Sequence, residues 1–339
     1  MKKSLLLSAM IAMALPTIAS ASMSVIKDHS GKVVAVDPWS YLDEEVMWTT
    51  ARSSNNAGGK VHGQIKMKYA IEDNNWKDSS FNNGSSTFTF AQGVFRHDSL
   101  PGWYLGTSNG RTTNYNGTWD NQEYIDQEQW TQLVIGHEAF YEDLRYGVEV
   151  MGGSATKDNF WQGRAKLYLD WQIGGGLSFF SYAYSHIDHR RNADNDKDKD
   201  KDKYSFKVEP GLQYIINNTT GVWVRQQFAG ATLDRVEFGD VKEKSTTTSL
   251  GIWHNWGKLS TTLSGGFSHY RKFNASYESN EVFQETRERF MKLTANYPIT
   301  QRFTISGELT GALIEQQGLW VTNGEAVNTE CKVMIDYNF

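Results

Sequence analysis

The residues able to do chemistry stand two apart, in short runs of mixed charge. Arg164, Lys166, Tyr168 and Asp170 form one such run, Arg145 and Glu149 another, and Lys207, Glu209 and Gln213 a third. His62, Gln64, Lys66 and Lys68 come before them; Trp223, Arg225, Glu308, Glu330, Lys332 and Asp336 come after. Both signs occur, without the one-sided basic ladder expected of a polyanion filter. Mixed charges among hydroxyl-bearing and aromatic groups suit a neutral, hydroxyl-rich solute such as an oligosaccharide. The blander use of the same groups is to pair across a wet wall.

Three other constellations are weaker. His186 and His189 flank Asp188, but two histidines three apart at a strand end do not share a face, and no third ligand is near. The tract Asp194 to Lys203 alternates unlike charges and lacks the Gly and final Glu of a calcium loop, so it reads as a solvated loop. No serine lies in a G-x-S-x-G context. A barrel enzyme, lipase or protease, would have to assemble its residues across strands, and it ranks behind a channel. No cofactor, metal or nucleic-acid partner is implied.

A spacing of two is the period of a strand, whose successive side chains point to opposite faces. The last stretch shows it best. Val327, Thr329, Cys331, Val333, Ile335, Tyr337 and Phe339 fall on one face, while Asn328, Glu330, Lys332, Met334, Asp336 and Asn338 fall on the other. One face suits lipid and the other water. Cys331, the only cysteine, sits on the apolar face as a small hydrophobe, and an intramolecular disulfide is impossible.

Similar segments recur from Lys60 onward: 60–72, 85–97, 103–111, 127–137, 142–152, 161–173, 177–187, 204–216, 222–233, 245–256, 259–272, 284–297, 303–315 and 326–339. Fourteen strands are expected, in an all-β, transmembrane, antiparallel up-and-down barrel. The second, seventh and ninth carry aromatics on both faces, which suggests bulges or an offset register. Connections alternate long and short, as in barrels with long outer loops and tight periplasmic turns. Fourteen strands about 4.8 Å apart, tilted about 40°, give a backbone diameter of roughly 28 Å and a bore of roughly 15 Å.

The front of the chain reads as a signal peptide, residues 1–21. Lys2 and Lys3 are basic, Leu5 to Leu15 is apolar apart from Ser8, and Ala19-Ser20-Ala21 is a small-residue cleavage site. Losing both lysines takes the net charge from −5 to about −7. No later run is long and apolar enough for a spanning helix, so an exported, membrane-embedded chain must span as a closed barrel. Composition agrees, with hydrophobic residues at only 39% but aromatics at 13% and 30 glycines. Residues 22–59 are an amino-terminal extension and 60–339 the barrel. Asp37-Pro38 could open a helix, whereas Leu42, Val46 and Trp48 could equally be a strand face.

The signal peptide, the fourteen-strand pattern, the parity-sorted loops and the terminal Tyr337-Asn338-Phe339 together resemble the monomeric outer-membrane porins of the porin G type. The long segment Ser22-Met23-Ser24-Val25-Ile26-Lys27-Asp28-His29-Ser30 makes the chain look closer to the cyclodextrin-specific channels. That resemblance implies passive diffusion of cyclic oligosaccharides through the outer membrane of a Gram-negative bacterium. Ser22, Met23, Val25, Ile26, Lys27, Asp28 and His29 would belong to a mobile lumen constriction; the alternative is a periplasmic tail. Expected partners are the solute, membrane lipid and lipopolysaccharide, with the protein a monomer. The rival within the class is an oligogalacturonate-type porin.

Overall fold

A computed structural model describes residues 25–27, 33–36, 61–118, 121–156, 160–190, 201–233, 241–274, 282–319, 321 and 323–339. Hydrocarbon tolerates no unpaired backbone, so strands greasy on one face must close into a cylinder. They do. The first wall runs β3 (Val61–Trp76), β4 (Asn83–His97), β5 (Trp103–Thr118), β6 (Asn121–Tyr141), β7 (Leu144–Ala155), β8 (Phe160–Gly174) and β9 (Leu177–Arg190). It continues through β10 (Lys201–Asn217), β11 (Thr220–Leu233), β12 (Val241–Trp256), β13 (Leu259–Asn274), β14 (Val282–Pro298), β15 (Phe303–Gln317) and β16 (Gly324–Asn338). All fourteen are antiparallel to their chain neighbours, and β16 closes on β3. Gly63 and Phe339 exchange two backbone hydrogen bonds of 3.1 Å, and the Phe339 ring lies 5.8 Å from that of Phe95.

The outer surface carries the apolar set: Val148, Val150, Leu167, Phe206, Leu250 and Met291 are all exposed. Trp103, Tyr141, Trp171, Tyr214, Trp256 and Tyr337 gather beside the short turns, while Tyr124, Trp161 and Tyr204 sit toward the other ends. These are the two aromatic girdles of a membrane barrel. About half of the buried side chains among the described residues are polar, Glu149, Lys166, Glu209 and Gln213 among them, as suits a wall with a wet inner face.

The expected strands are all present, most of them longer at the outer end. β5 continues to Thr118 and β6 begins at Asn121, so most of the long polar connection expected at Thr112–Asp126 is paired hairpin. Ladder pairing continues above the lipid, where polar residues on both faces erase the alternation. One turn is misplaced in the sequence reading. Glu138 to Tyr141 is strand, and the chain reverses at Glu142-Asp143, with Glu142 at φ 49°. At Gly174, Gly175 and Gly176 positive φ closes the β8–β9 turn, which glycine permits without a Cβ clash.

Of the three irregular strands, only β4 is bulged. Its register slips at Phe90 against both neighbours, so Phe88, Phe90 and Phe95 share the outer face. β9 and β11 pair through the aromatic stretch without a slip; their second aromatics point inward for a reason given below.

Ahead of the barrel, within the amino-terminal extension, β1 (Val25–Lys27) and β2 (Val33–Val36) form a hairpin, with Val25 opposite Val36 and Ile26 opposite Ala35. β2 approaches β10. The signal-peptide segment, Ser22, Met23, Asp28, His29 and residues 38–52 lie outside the described residues.

Candidate functional site: the lumen wall

Inside the barrel is a cavity of about 850 Å³ to which every strand of the wall contributes a side chain. Strand parity decides the lining: Lys68, Arg164, Lys207, Trp223, Arg225, Lys292 and Lys332 all project into it. Most of the charged residues picked from the sequence fall into three clusters on this face; outside them Lys66 pairs with Asp336 at 3.2 Å and His62 approaches Asp98 at 3.4 Å.

The first spans β4 to β8. Glu149, almost wholly buried, accepts a hydrogen bond of 3.0 Å from Tyr104 Oη. It also pairs with Arg164 at 3.4 Å and Lys166 at 3.8 Å. Glu138 pairs with Arg145 at 3.1 Å and Arg96 at 3.2 Å, and Tyr168 Oη approaches it at 3.5 Å. Asp170, also buried, stands directly across the ladder from Arg145. Charges this deep persist only when paired and hydrogen-bonded.

The second cluster joins β9, β10 and β11. Glu209 accepts from Arg225 at 2.9 Å and Tyr182 Oη at 3.0 Å, with Lys207 at 3.7 Å. Arg225 also donates to Ser249 Oγ at 2.8 Å and lies 5.4 Å over the Trp223 ring. The third lies on β14, β15 and β16, where Glu308 holds Lys332 at 2.9 Å and Lys292 at 3.3 Å.

A pattern absent from the sequence reading organises the aromatic residues. Tyr104 stands opposite Gly136, Trp130 opposite Gly110, Tyr168 opposite Gly147, Phe180 opposite Gly211, Trp253 opposite Gly221 and Trp223 opposite Gly251. In each case a Cβ on the glycine would meet the ring at 2.1–2.5 Å, so the ring lies across the glycine, along the wall. Glycine in a strand interior marks such a close approach. Cations then cap several inner rings: Arg96 lies 4.8 Å over Tyr104, Arg145 5.9 Å over Tyr168, and Lys207 5.3 Å over Tyr182. This is why β9 and β11 carry aromatics on both faces, with one set facing the membrane and the other tiling the lumen.

Arg96, Tyr104, Glu138, Tyr182, Phe290 and Lys292 were not singled out from sequence. The Phe90 bulge reverses the parity that would have marked Arg96, and Glu138 was assigned to a turn. Parity along β14 was a sufficient signal for Lys292. Val25, Ile26 and Lys27 lie in β1. At the outer rim His186 sits 2.8 Å from Asp188 and His189 2.6 Å from Asp202, each with its own carboxylate. No group of His, Cys, Asp and Glu among the described residues is arranged to hold a metal ion.

Solved outer-membrane structures share this architecture. The TodX deltaS2S3 mutant monoaromatic hydrocarbon channel matches with a TM-score of 0.50 at 10% identity, covering 96% of this chain and 99% of its own. A bacterial polysaccharide outer membrane secretin matches at 0.50 and 8% identity, over 81% of this chain and 98% of its own. At such identities the likeness is one of fold. A search of curated protein sequences gives no match. The model of the OMPG-porin 1 family, in contrast, matches residues 44–335, most of the chain. With a closed, lipid-faced barrel around a charged and aromatic lumen, the chain belongs to the OMPG-porin 1 family, and it is an outer-membrane diffusion channel and not a catalytic barrel.

Proposed function

We propose that the channel admits bulky neutral oligosaccharides, cyclodextrins favoured, by passive diffusion as a monomer exported by a signal peptide. The observation that supports this most is the mixed charge of the wall: Glu149, Glu209 and Glu308 each pair with two basic groups, so those lysines and arginines are held by acids and form no unpaired basic ladder. A solute without charge is indifferent to the sign that remains, and the fixed donors and acceptors can exchange with its hydroxyls. The test is a current-block titration with linear and cyclic glucans of equal sugar number in planar bilayers. Saturable block, stronger for the cyclic form, is expected; no block by either ends this reading.

One observation favours an acidic sugar instead. The cavity lining counts six basic side chains, Lys68, Arg164, Lys207, Arg225, Lys292 and Lys332, against four acids, Glu72, Glu128, Glu288 and Glu330. Reversal potentials under a salt gradient separate the two, since an oligogalacturonate-type channel should prefer anions strongly.

Residues 22–37 are assigned in this reading to a mobile constriction of the lumen, and the approach of β2 to β10 is compatible with it. Deleting 22–36 is expected to raise single-channel conductance and speed sugar flux in liposome swelling. Unchanged conductance would make the segment a periplasmic tail.

A further inference from the structure

The registers of β11 to β14 align lumen residues into straight rows across four strands. In the first row Trp223 faces Gly251, Gly251 faces Ser264, and Ser264 faces Lys292. In the second, Arg225, Ser249, Gly266 and Phe290 stand in line. In the third the line is Gln227, Thr247, Ser268 and Glu288. The middle two strands therefore supply a floor of glycines and small hydroxyls, and the outer two supply large side chains as banks. The banks are three strand spacings apart, about 14 Å, and successive rows are about 7 Å apart.

The banks are complementary. Trp223 stands in the row of Lys292, and Arg225 in the row of Phe290, so each of the first two rows has one ring and one cation on opposite sides. Each ring leans over the floor. A Cβ on Gly251 would meet the Trp223 indole at 2.5 Å, and one on Gly266 would meet the tip of the Phe290 ring at 3.0 Å. Trp223, Arg225, Gln227, Ser264, Phe290 and Lys292 all border the 850 Å³ cavity, so the trough opens into the path of a solute.

We propose that this trough is a binding subsite for the pyranose rings of a translocating oligosaccharide. The inference rests on the oligosaccharide reading above and adds the place where the sugar is held. A pyranose has a face of C–H bonds and a rim of hydroxyls. Weakly positive C–H edges settle on the negative face of an aromatic ring, as ring edges do in a T-shaped pair. The rim hydroxyls then meet Arg225 in the second row and Gln227 and Glu288 in the third, together donors and acceptors. The small floor keeps the sugar from being wedged. Arg225 lies 5.4 Å over the Trp223 ring here, as Arg96 and Arg145 lie over Tyr104 and Tyr168 on the β3–β9 side, so what sets the trough apart is its floor of small residues between two banks.

The test uses the full-length channel in planar bilayers, titrated with a linear glucan of about six sugars. In the wild type the glucan blocks the current saturably. Trp223→Ala and Phe290→Ala should each weaken block about threefold, and the double variant about tenfold or more, with salt conductance unchanged or higher. Trp130→Ala, an aromatic of the same cavity on the far wall, should leave block within about twofold. If Trp223→Ala does not insert, Phe290→Leu, which keeps bulk and removes the ring, carries the same expectation. A double variant blocked like the wild type, or a Trp130→Ala channel weakened as much, overturns the trough. An unblocked wild type overturns the oligosaccharide reading instead.

Discussion

The two sides of the lumen are built on opposite principles. From β4 to β8 the wall is thick: glycine, aromatic ring and cation are layered, and Glu138 and Glu149 are sealed beneath arginines and lysines. Across the middle of β12 and β13 it is thin: the strands themselves mount only small residues, Gly251, Ser249, Thr247, Ser264, Gly266 and Ser268, and the rings that lean over them, Trp223 and Phe290, come from the flanking strands. The same ladder of backbone bonds supports both. The difference teaches that the barrel's shape is set by main-chain pairing, whereas the bore and its chemistry are set by what each arc mounts on that frame.

If so, the thick arc should be costly to alter and the thin one cheap. The largest effect is expected from Glu149→Ala, which strips the acid from between Tyr104, Arg164 and Lys166. Leaving buried cations uncompensated should cost about 3–5 kcal/mol in denaturant unfolding from detergent. A loss below about 1 kcal/mol would mean that the cluster is solvated, not sealed. Gly147→Ala comes next. Its Cβ would lie 2.3 Å from the Tyr168 ring and 2.8 Å from the His137 carbonyl, so the ring must lift into the bore. A cost of about 1–3 kcal/mol and a lower single-channel conductance are expected; unaltered conductance would show that the ring tiling does not define the bore.

On the thin arc, Thr247→Ala removes one hydrogen bond of 3.0 Å, to Ser268. About 1 kcal/mol or less should be lost, with conductance preserved. Smallest of all is Lys77→Ala, outside both arcs, where Lys77 and Glu325 form an exposed pair at 2.6 Å. Its unfolding midpoint should stay within the equivalent of about 0.5 kcal/mol. A larger shift there would erase the contrast between buried and exposed pairs on which the ranking depends.

How far the site could be read from the chain varies along it. On β7 and β8 the alternation is uninterrupted, and Arg145, Glu149, Arg164, Lys166 and Asp170 lie on the inner face that parity assigns them. On β4 one extra residue at Phe90 inverts the count, and Arg96 escapes notice. The pairing of aromatic with glycine was illegible for a different reason. Gly211 is opposite Phe180 and Gly221 opposite Trp253, so each motif is divided between two strands and has no local spacing.

By itself the sequence determined the class of object: an exported-looking chain whose strands alternate greasy and wet faces, in a number and loop order that only a closed membrane barrel accommodates. Period and turn chemistry are local, and a local signal survives in one dimension. Only the tertiary structure decided which side chains meet. Register between strands is a relation among residues that can lie hundreds apart, as Gln64 and Asp336 do across the closing seam, and a shift of one residue would move every inner group to the membrane face.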